Sequence, residues 1–213
     1  MYFPAFSDIL KIDVQVDTFR DNDMVRGKSP AEMEDAMQFE NLIEERRSVR
    51  AFDASYKVSE EEVNKLVYAA IQAPSWKNSQ TARYYAALSD GMIEKVSECL
   101  PAFNSASAKG AALVVTTFVA NRSGFERDGN PTNECGNGWG YYDLGLHNEN
   151  FVLQATNIGL STLIMGIRDA KKLRELLSIP ETETIVAVIA VGKAAQSPEK
   201  PKRKEPADIL KVF

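Results

Sequence analysis

The chain has 213 residues, 44% of them hydrophobic, 26% charged and 9% aromatic, with a formal net charge of −5. Those proportions exclude a disordered or collagenous chain, and a mildly acidic balance excludes general nucleic-acid binding, which needs a phosphate-neutralising basic face. Cys99 and Cys135 make neither a disulfide framework nor a structural metal cluster, so a reducing cytosol is the expected compartment.

Residues 1–28 sustain no period and read as an extension. Pro4 and Asp8 interrupt the apolar residues of the start, and no basic run precedes them, so no targeting segment is expected. The charge-free stretch Phe151 to Ile167 is shorter than the ~20 apolar residues that span a bilayer. Ser29-Pro30-Ala31-Glu32 reads as a helix start with a capping box, and Met33, Met37, Leu42 and Ile43 give a rough apolar face up to Arg46, as one helix or two. Ser59 and Glu62 cap a clearer helix in which Val63, Leu66, Val67 and Ala70 recur at helical spacing, and Ala73-Pro74 ends it.

Arg83 to Leu88 is predicted as a strand closed by the turn Ser89-Asp90-Gly91, and Met92 to Leu100 as a helix. Ala111 to Ala120 is a continuous β-branched and apolar run, the pattern of a strand buried on both faces. Residues 121–140 are rich in Gly and Asn and read as a long loop, such as a lid. Tyr141 to Asn157 is a long helix with Gly159 at its end. Leu160 to Met165 is a strand, Asp169 caps a helix over Ala170 to Leu177, and Thr184 to Val191 is a further buried strand. The tail from Lys193 to Pro206 is basic and extended. Helices interleaved with about four strands predict a layered α/β or α+β domain, one sheet covered by helices.

Three constellations could carry chemistry. Arg46, Ser48 and Arg50 alternate, which in an extended segment places two guanidinium groups and a hydroxyl on one face, able to grip a phosphate. The plainer alternative is that these basic residues complement the end of a helix dipole. Pro74-Ser75-Trp76-Lys77-Asn78-Ser79-Gln80 is either a polar connecting loop or one whose amides and Asn78 bond the edge of a planar heterocycle, since an amide side chain both donates and accepts. Lys202-Arg203-Lys204 is either solvated surface or a second cationic group that folds back onto the first.

Taken together, in this order and spacing, these segments resemble the FMN-dependent nitroreductase family over roughly residues 38–210. The carrying motifs are Arg46-Arg47-Ser48-Val49-Arg50-Ala51-Phe52, then Ala73 to Gln80. Asp143-Leu-Gly145 leads into Asn150 and Leu153 to Leu160. Leu163-Ile164-Met165-Gly166 and the ending from Gly192 to Arg203 complete the set. The resemblance implies a mixed sheet in a helical surround and an intertwined homodimer with FMN at the subunit interface. It leaves residues 1–37 as an extension before a domain over 38–213.

Residue by residue, the resemblance implies that Arg46, Ser48 and Arg50, with Arg47 beside them, meet phosphate and ribityl. Arg203, with Lys202, is a late phosphate contact. Asn78 meets the flavin edge, Pro74, Ser75 and Trp76 lie where the loop meets the ring, and Gln80 reaches the partner's cofactor. Ile164, Met165 and Gly166 cover the isoalloxazine. Two departures, Thr81-Ala82 where many members have Pro-Trp and Met165 where some are acidic, fall near the ring or substrate pocket.

The implied activity is hydride transfer from a transient NAD(P)H through flavin N5 to a small acceptor, a nitroaromatic, quinone or similar. No side-chain nucleophile is needed, and no dinucleotide-binding glycine fingerprint is evident. The alternatives are a non-catalytic FMN-binding sensor, a phosphate-binding module without flavin, and a dehalogenase or dehydrogenase of the same family. His147 is expected to make a structural hydrogen bond or face solvent, Cys135 to be a bystander, and Trp139, Tyr141 and Tyr142 to be either core or pocket lining.

Overall fold

The structure, a computed structural model, describes residues 39–213. The helix start at Ser29 and the extension over 1–37 lie outside the described residues. In chain order the elements are α1 (Phe39–Glu45), α2 (Glu60–Ala70), a single 3-10 turn (Trp76–Asn78), β1 (Ala82–Ala87), α3 (Asp90–Ser97), α4 (Ala102–Ser107), β2 (Ala112–Val119), α5 (Gly138–Asn157), β3 (Ser161–Met165), α6 (Ala170–Leu177), β4 (Glu183–Gly192) and α7 (Pro206–Ile209).

The strands form one sheet in the order β1-β2-β4-β3, and every neighbouring pair is antiparallel. Among the described residues, the mixed character expected of the sheet is confined to one isolated parallel bridge, Ser48 to Thr162. β2 and β4 are central and buried almost end to end, as their continuous apolar runs predict. Their side chains alternate between two cores. Leu113, Val115, Val188 and Ala190 pack with Val96 near the end of α3 and Leu173 of α6. Val114, Ile189 and Val191 pack with Leu66 and Ala70 of α2 and with Phe151, Val152 and Ala155 of α5. The result is a helix–sheet–helix sandwich, with α5 as the long member of one outer layer.

Local signals account for the boundaries. Ser59 Oγ accepts the Glu62 N–H at 3.2 Å while Glu62 Oε2 accepts the Ser59 N–H at 2.9 Å, closing the predicted capping box. Asp169 accepts the Lys172 N–H at 3.0 Å and starts α6 at Ala170. Gly159, with φ +72, follows the end of α5 in the left-handed region expected of a C-terminal glycine. α5 begins at Gly138 rather than Tyr141, because the glycine-rich run winds directly into the helix. There α5 crosses β2 closely: a side chain on Gly140 would collide with the Phe118 ring. The helices α4 and α7 were not expected. At 6 and 4 residues they are too short to show a period.

A polar contact bridges the sheet below α6. Glu183, buried, accepts hydrogen bonds from the Tyr85 hydroxyl at 2.9 Å and from the Thr117 hydroxyl. No described helix is long and apolar enough to cross a membrane.

Candidate functional site

After Glu45 the chain becomes extended and lies along the rim of the sheet. The Val49 N–H donates to Thr162 O, the Asp53 N–H to Lys193 O and the Ala195 N–H to Ala51 O, each at 2.9 Å. Around Val49 the side chains alternate, Val49 pointing into the core and Ser48 and Arg50 exposed; the alternation ends before Phe52, which is buried as well. Arg46, half-buried, still donates its N–H to Leu42 O at the end of α1. Arg47 is turned back onto that helix end. Its guanidinium donates to the carbonyls of Glu44 and Arg46 at 2.5 and 2.9 Å. It lines, with Val49 and residues 194–198, a separate groove of about 350 Å³.

The tail comes back to the same place. Lys200 Nζ lies 3.2 Å from Glu44 Oε2, which sets the tail against the end of α1 just before Lys202 and Arg203. Arg46, Arg50, Lys202 and Arg203 have no ion-pair partner among the described residues. Four unpaired cations on two adjoining segments offer the chemistry to receive an anion.

The second part is the arch from Pro74 to Thr81. Lys77, Asn78 and Gln80 have φ of 47, 53 and 48, the left-handed region that side chains other than glycine seldom adopt. Strain of this kind persists only where the surroundings over-determine it. Here Trp76 N–H donates to Asp143 Oδ2 at 3.0 Å and Oδ1 at 3.2 Å. Gln80 N–H donates to Ser75 Oγ at 3.0 Å, and Gln80 Nε2 to Asn78 Oδ1 at 3.2 Å. Trp76 packs on Trp139, ring centroids 4.5 Å apart, and Trp139 on Tyr142 at 5.7 Å. Pro74, Asn78 and Gln80 are exposed at the crest, while Ser75 and Trp76 are half-buried below it. Trp76 Nε1 is buried without a partner, an orphaned donor under the crest.

The third part is the end of β3. Ile164 is 47% exposed, and a side chain on Gly166 would meet open space, so this edge presents a flat apolar and backbone surface. Met165, on the opposite face of the strand, is buried in the core with Val188. Of the three residues in this segment, Ile164 and Gly166 stand at the surface and the Met165 side chain does not. Thr81 is likewise buried, its hydroxyl 3.3 Å from Ser123 Oγ. Its neighbour Ala82 is half-buried.

The rest of the sequence candidates sort plainly. His147 is buried and its Nδ1 lies 2.8 Å from Asp143 O, the structural hydrogen bond expected of it. Cys135 is exposed, with its sulfur 3.9 Å from Glu134 Oε1. Tyr141 and Tyr142 are half-exposed or more, and Trp139 belongs to the stack under the arch. Two residues escaped the sequence reading of the site, Asp143 and Ser123. The available signal was an acid on the buried face of α5, in helical register with His147 and Phe151.

Comparison with known proteins supplies the context. A family model described as Nitroreductase family matches residues 43–193. A protein of Archaeoglobus fulgidus, provisionally named NADH dehydrogenase/NAD(P)H nitroreductase, is 28% identical over 155 residues, 71% of this chain and 82% of that one. The fold matches a structure from Staphylococcus epidermidis, provisionally an NAD(P)H:FMN oxidoreductase, with TM-score 0.73 and 23% identity over 83% of this chain and 96% of that one. It also matches a structure from Exiguobacterium sibiricum, provisionally a nitroreductase, in complex with FMN. There the TM-score is 0.69 at 20% identity, over 84% of this chain and 98% of that one.

Proposed function

The chain belongs to the nitroreductase family, and from that premise we propose that it is an FMN-dependent oxidoreductase drawing on NAD(P)H to reduce a small organic acceptor, such as a nitroaromatic or a quinone. The observation that carries the reading is the set of unpaired cations, Arg46, Arg50, Lys202 and Arg203, on two segments tied together by Lys200 and Glu44. A phosphate monoester dianion is the ligand such a cluster fits, and a single cluster suits FMN better than the diphosphate of FAD.

When bound, FMN supplies the redox chemistry, accepting a hydride at N5 and passing it on. The chain's own residues do the rest. Arg46, Arg50 and Arg203 offer charged donors to the phosphate, and Ser48 offers a hydroxyl to phosphate or ribityl. Asn78 keeps an amide N–H available at the crest of the arch for the pyrimidine edge. Ile164 gives the ring an apolar seat, and the backbone at Gly166 is unobstructed and able to donate toward N5.

The same residues argue for a homodimer. Asn78 and Gln80 stand just before β1, while Ile164 and Gly166 end β3, the opposite edge strand, and all four are exposed, so a flavin that meets both groups needs a second copy. Exposed Tyr68, Ile71 and Tyr141 on α2 and α5 are apolar surface for the second copy. Stability should then rise with protein concentration and with FMN. Sedimentation over a dilution series tests it, and a monomer that keeps its flavin would refute it.

The function is tested in two steps. Purified protein should be yellow, and heat release followed by chromatography should return FMN. NADH or NADPH should then be oxidised in the presence of a quinone or nitroarene. Recovered FAD, or a protein that stays colourless after addition of FMN, refutes the cofactor. A yellow protein that oxidises neither nucleotide is a flavin sensor instead.

A further inference from the structure

We propose that Asp143 is a positioning residue for the flavin edge, acting on the start of the arch directly at Trp76 and on its end through Ser123; the inference rests on the flavin reading above. Asp143 is 3% exposed and has no ion-pair partner among the described residues. A buried acid is expensive unless its lone pairs are used. They are used on one segment. Trp76 N–H donates to both carboxylate oxygens, and Ser123 Oγ donates to Oδ2 at 2.6 Å. Ser123 Oγ in turn lies 2.8 Å from Ser79 Oγ and 3.3 Å from Thr81 Oγ1. A carboxylate accepts only, so the Ser123 proton points to Asp143, and the hydroxyls of Ser79 and Thr81 are the ones left to donate to Ser123.

The two tethers bracket the strain. Trp76 is held directly and Ser79 and Thr81 are held through Ser123. Between them sit Lys77, Asn78 and Gln80 in the left-handed region. One carboxylate on the rigid helix α5 thus fixes the start and the end of the arch whose crest presents Asn78. Release of either tether lets those residues return to ordinary backbone angles and moves the Asn78 amide. Asp143→Asn keeps the volume and one acceptor. Its Oδ1 can hold Trp76 N–H, but its NH2 must then donate to Ser123, which reverses the order of protons along the hydroxyls. Asn should therefore be an intermediate and Ala the extreme.

The experiment uses the full chain and the variants Asp143→Asn, Asp143→Ala and Ser123→Ala. Without flavin, amide exchange is followed across residues 76–81, together with the fluorescence of Trp76 and Trp139, the only two tryptophans. With flavin, the FMN affinity, the visible spectrum and the midpoint potential are measured. Exchange across the arch should accelerate by about ten-fold or more in Asp143→Ala and less in Asp143→Asn. Ser123→Ala should free Ser79 and Thr81 while Trp76 N–H stays protected. FMN affinity should fall in the same rank order, with the flavin spectrum and potential shifted. Arch exchange as slow as in the wild type overturns the inference. So does a loosened arch with unchanged FMN affinity, spectrum and potential, which would leave Asp143 a purely structural acid. Failure of the flavin reading shows elsewhere, in a wild-type protein that takes up no FMN.

Discussion

Replacing Gly140 by alanine tests the closest approach between α5 and the sheet. The new Cβ would lie within van der Waals contact of Phe118 Cε2 and Cδ2, and 3.1 Å from Cγ. The ring has no easy escape, because Phe118 is fully buried and packs edge-on against Tyr141 with centroids 4.8 Å apart. Two effects oppose. Alanine gains at most ~1 kcal/mol of helix propensity over glycine, and less in a first turn. Overpacking a well-filled core costs about 1–3 kcal/mol. With three ring atoms met at once, the loss wins, by roughly 1–2 kcal/mol. For a chain of this size that lowers Tm by about 2–8 °C. Calorimetry should show it at one fixed protein concentration, since assembly also moves Tm. Phe118→Leu in the same background makes room for the methyl, so the double variant should be more stable than the sum of the two by about 0.5 kcal/mol or more. An unchanged or raised Tm for Gly140→Ala, or strict additivity with Phe118→Leu, would refute the steric argument.

Three further outcomes are expected. Arg50→Ala and Arg203→Ala should each weaken FMN binding about ten-fold or more in a fluorescence titration. Arg47→Ala should change it little, because that guanidinium is turned back onto the end of α1, and equal losses in all three would contradict that orientation. Burial first, then the hydrogen bond and charge of Glu183, push the Tyr85 phenol up to about 12 from 10.0. The raised value stabilises the fold fully below pH 10 and is lost as pH rises toward 12. Tyr85→Phe should therefore flatten the alkaline fall in Tm, and an unchanged slope would count against it. Burial alone would raise the Glu62 carboxyl, but the Ser59 N–H, the hydroxyls of Tyr56 and Ser59 and the charge of Lys193 together hold it below 4.5. That contribution is present above pH 4.5 and lost as pH falls through the lower folded value. Glu62→Gln should flatten the acid limb, and Ser59→Ala should cost about 1 kcal/mol at neutral pH, measured by urea unfolding. An undiminished acid limb in Glu62→Gln would mean that other carboxylates set it.

Elements with a cap and a long apolar period were legible before the structure. Ser59 with Glu62, and Asp169 ahead of Ala170–Leu177, mark helix starts that the structure reproduces. The run over 111–120 announces a strand buried on both faces because no charged residue interrupts it. Alternation of Ser48, Val49 and Arg50 was legible too, whereas the turn of Arg47 back onto the carbonyls of Glu44 and Arg46 was not. In β3, alternation separates Met165 from the face of Ile164. The arch was legible only as a loop. Its left-handed residues are Lys, Asn and Gln, which carry no glycine signature, and its restraints come from Ser123 and Asp143, far along the chain. Hydrogen bonds that join such distant positions leave no local spacing to read.

The rim pairing of the front segment also fixes an order of events during synthesis. Ser48 meets Thr162 and Phe52 meets Ala194, roughly 110 to 140 positions later. At about 5–20 residues per second, the front arginines wait on the order of 10 s for the strand that seats them. Until then Val49 and Phe52, later buried, have no core to enter. Contacts this distant slow folding, because loop closure must precede any reward from packing. The rim that carries the front arginines is therefore among the last features a nascent chain can complete. A truncation that removed the residues from Lys193 onward would strip the contacts of Ala51, Phe52 and Asp53 and leave the front segment pinned to the sheet by its pairing with Thr162.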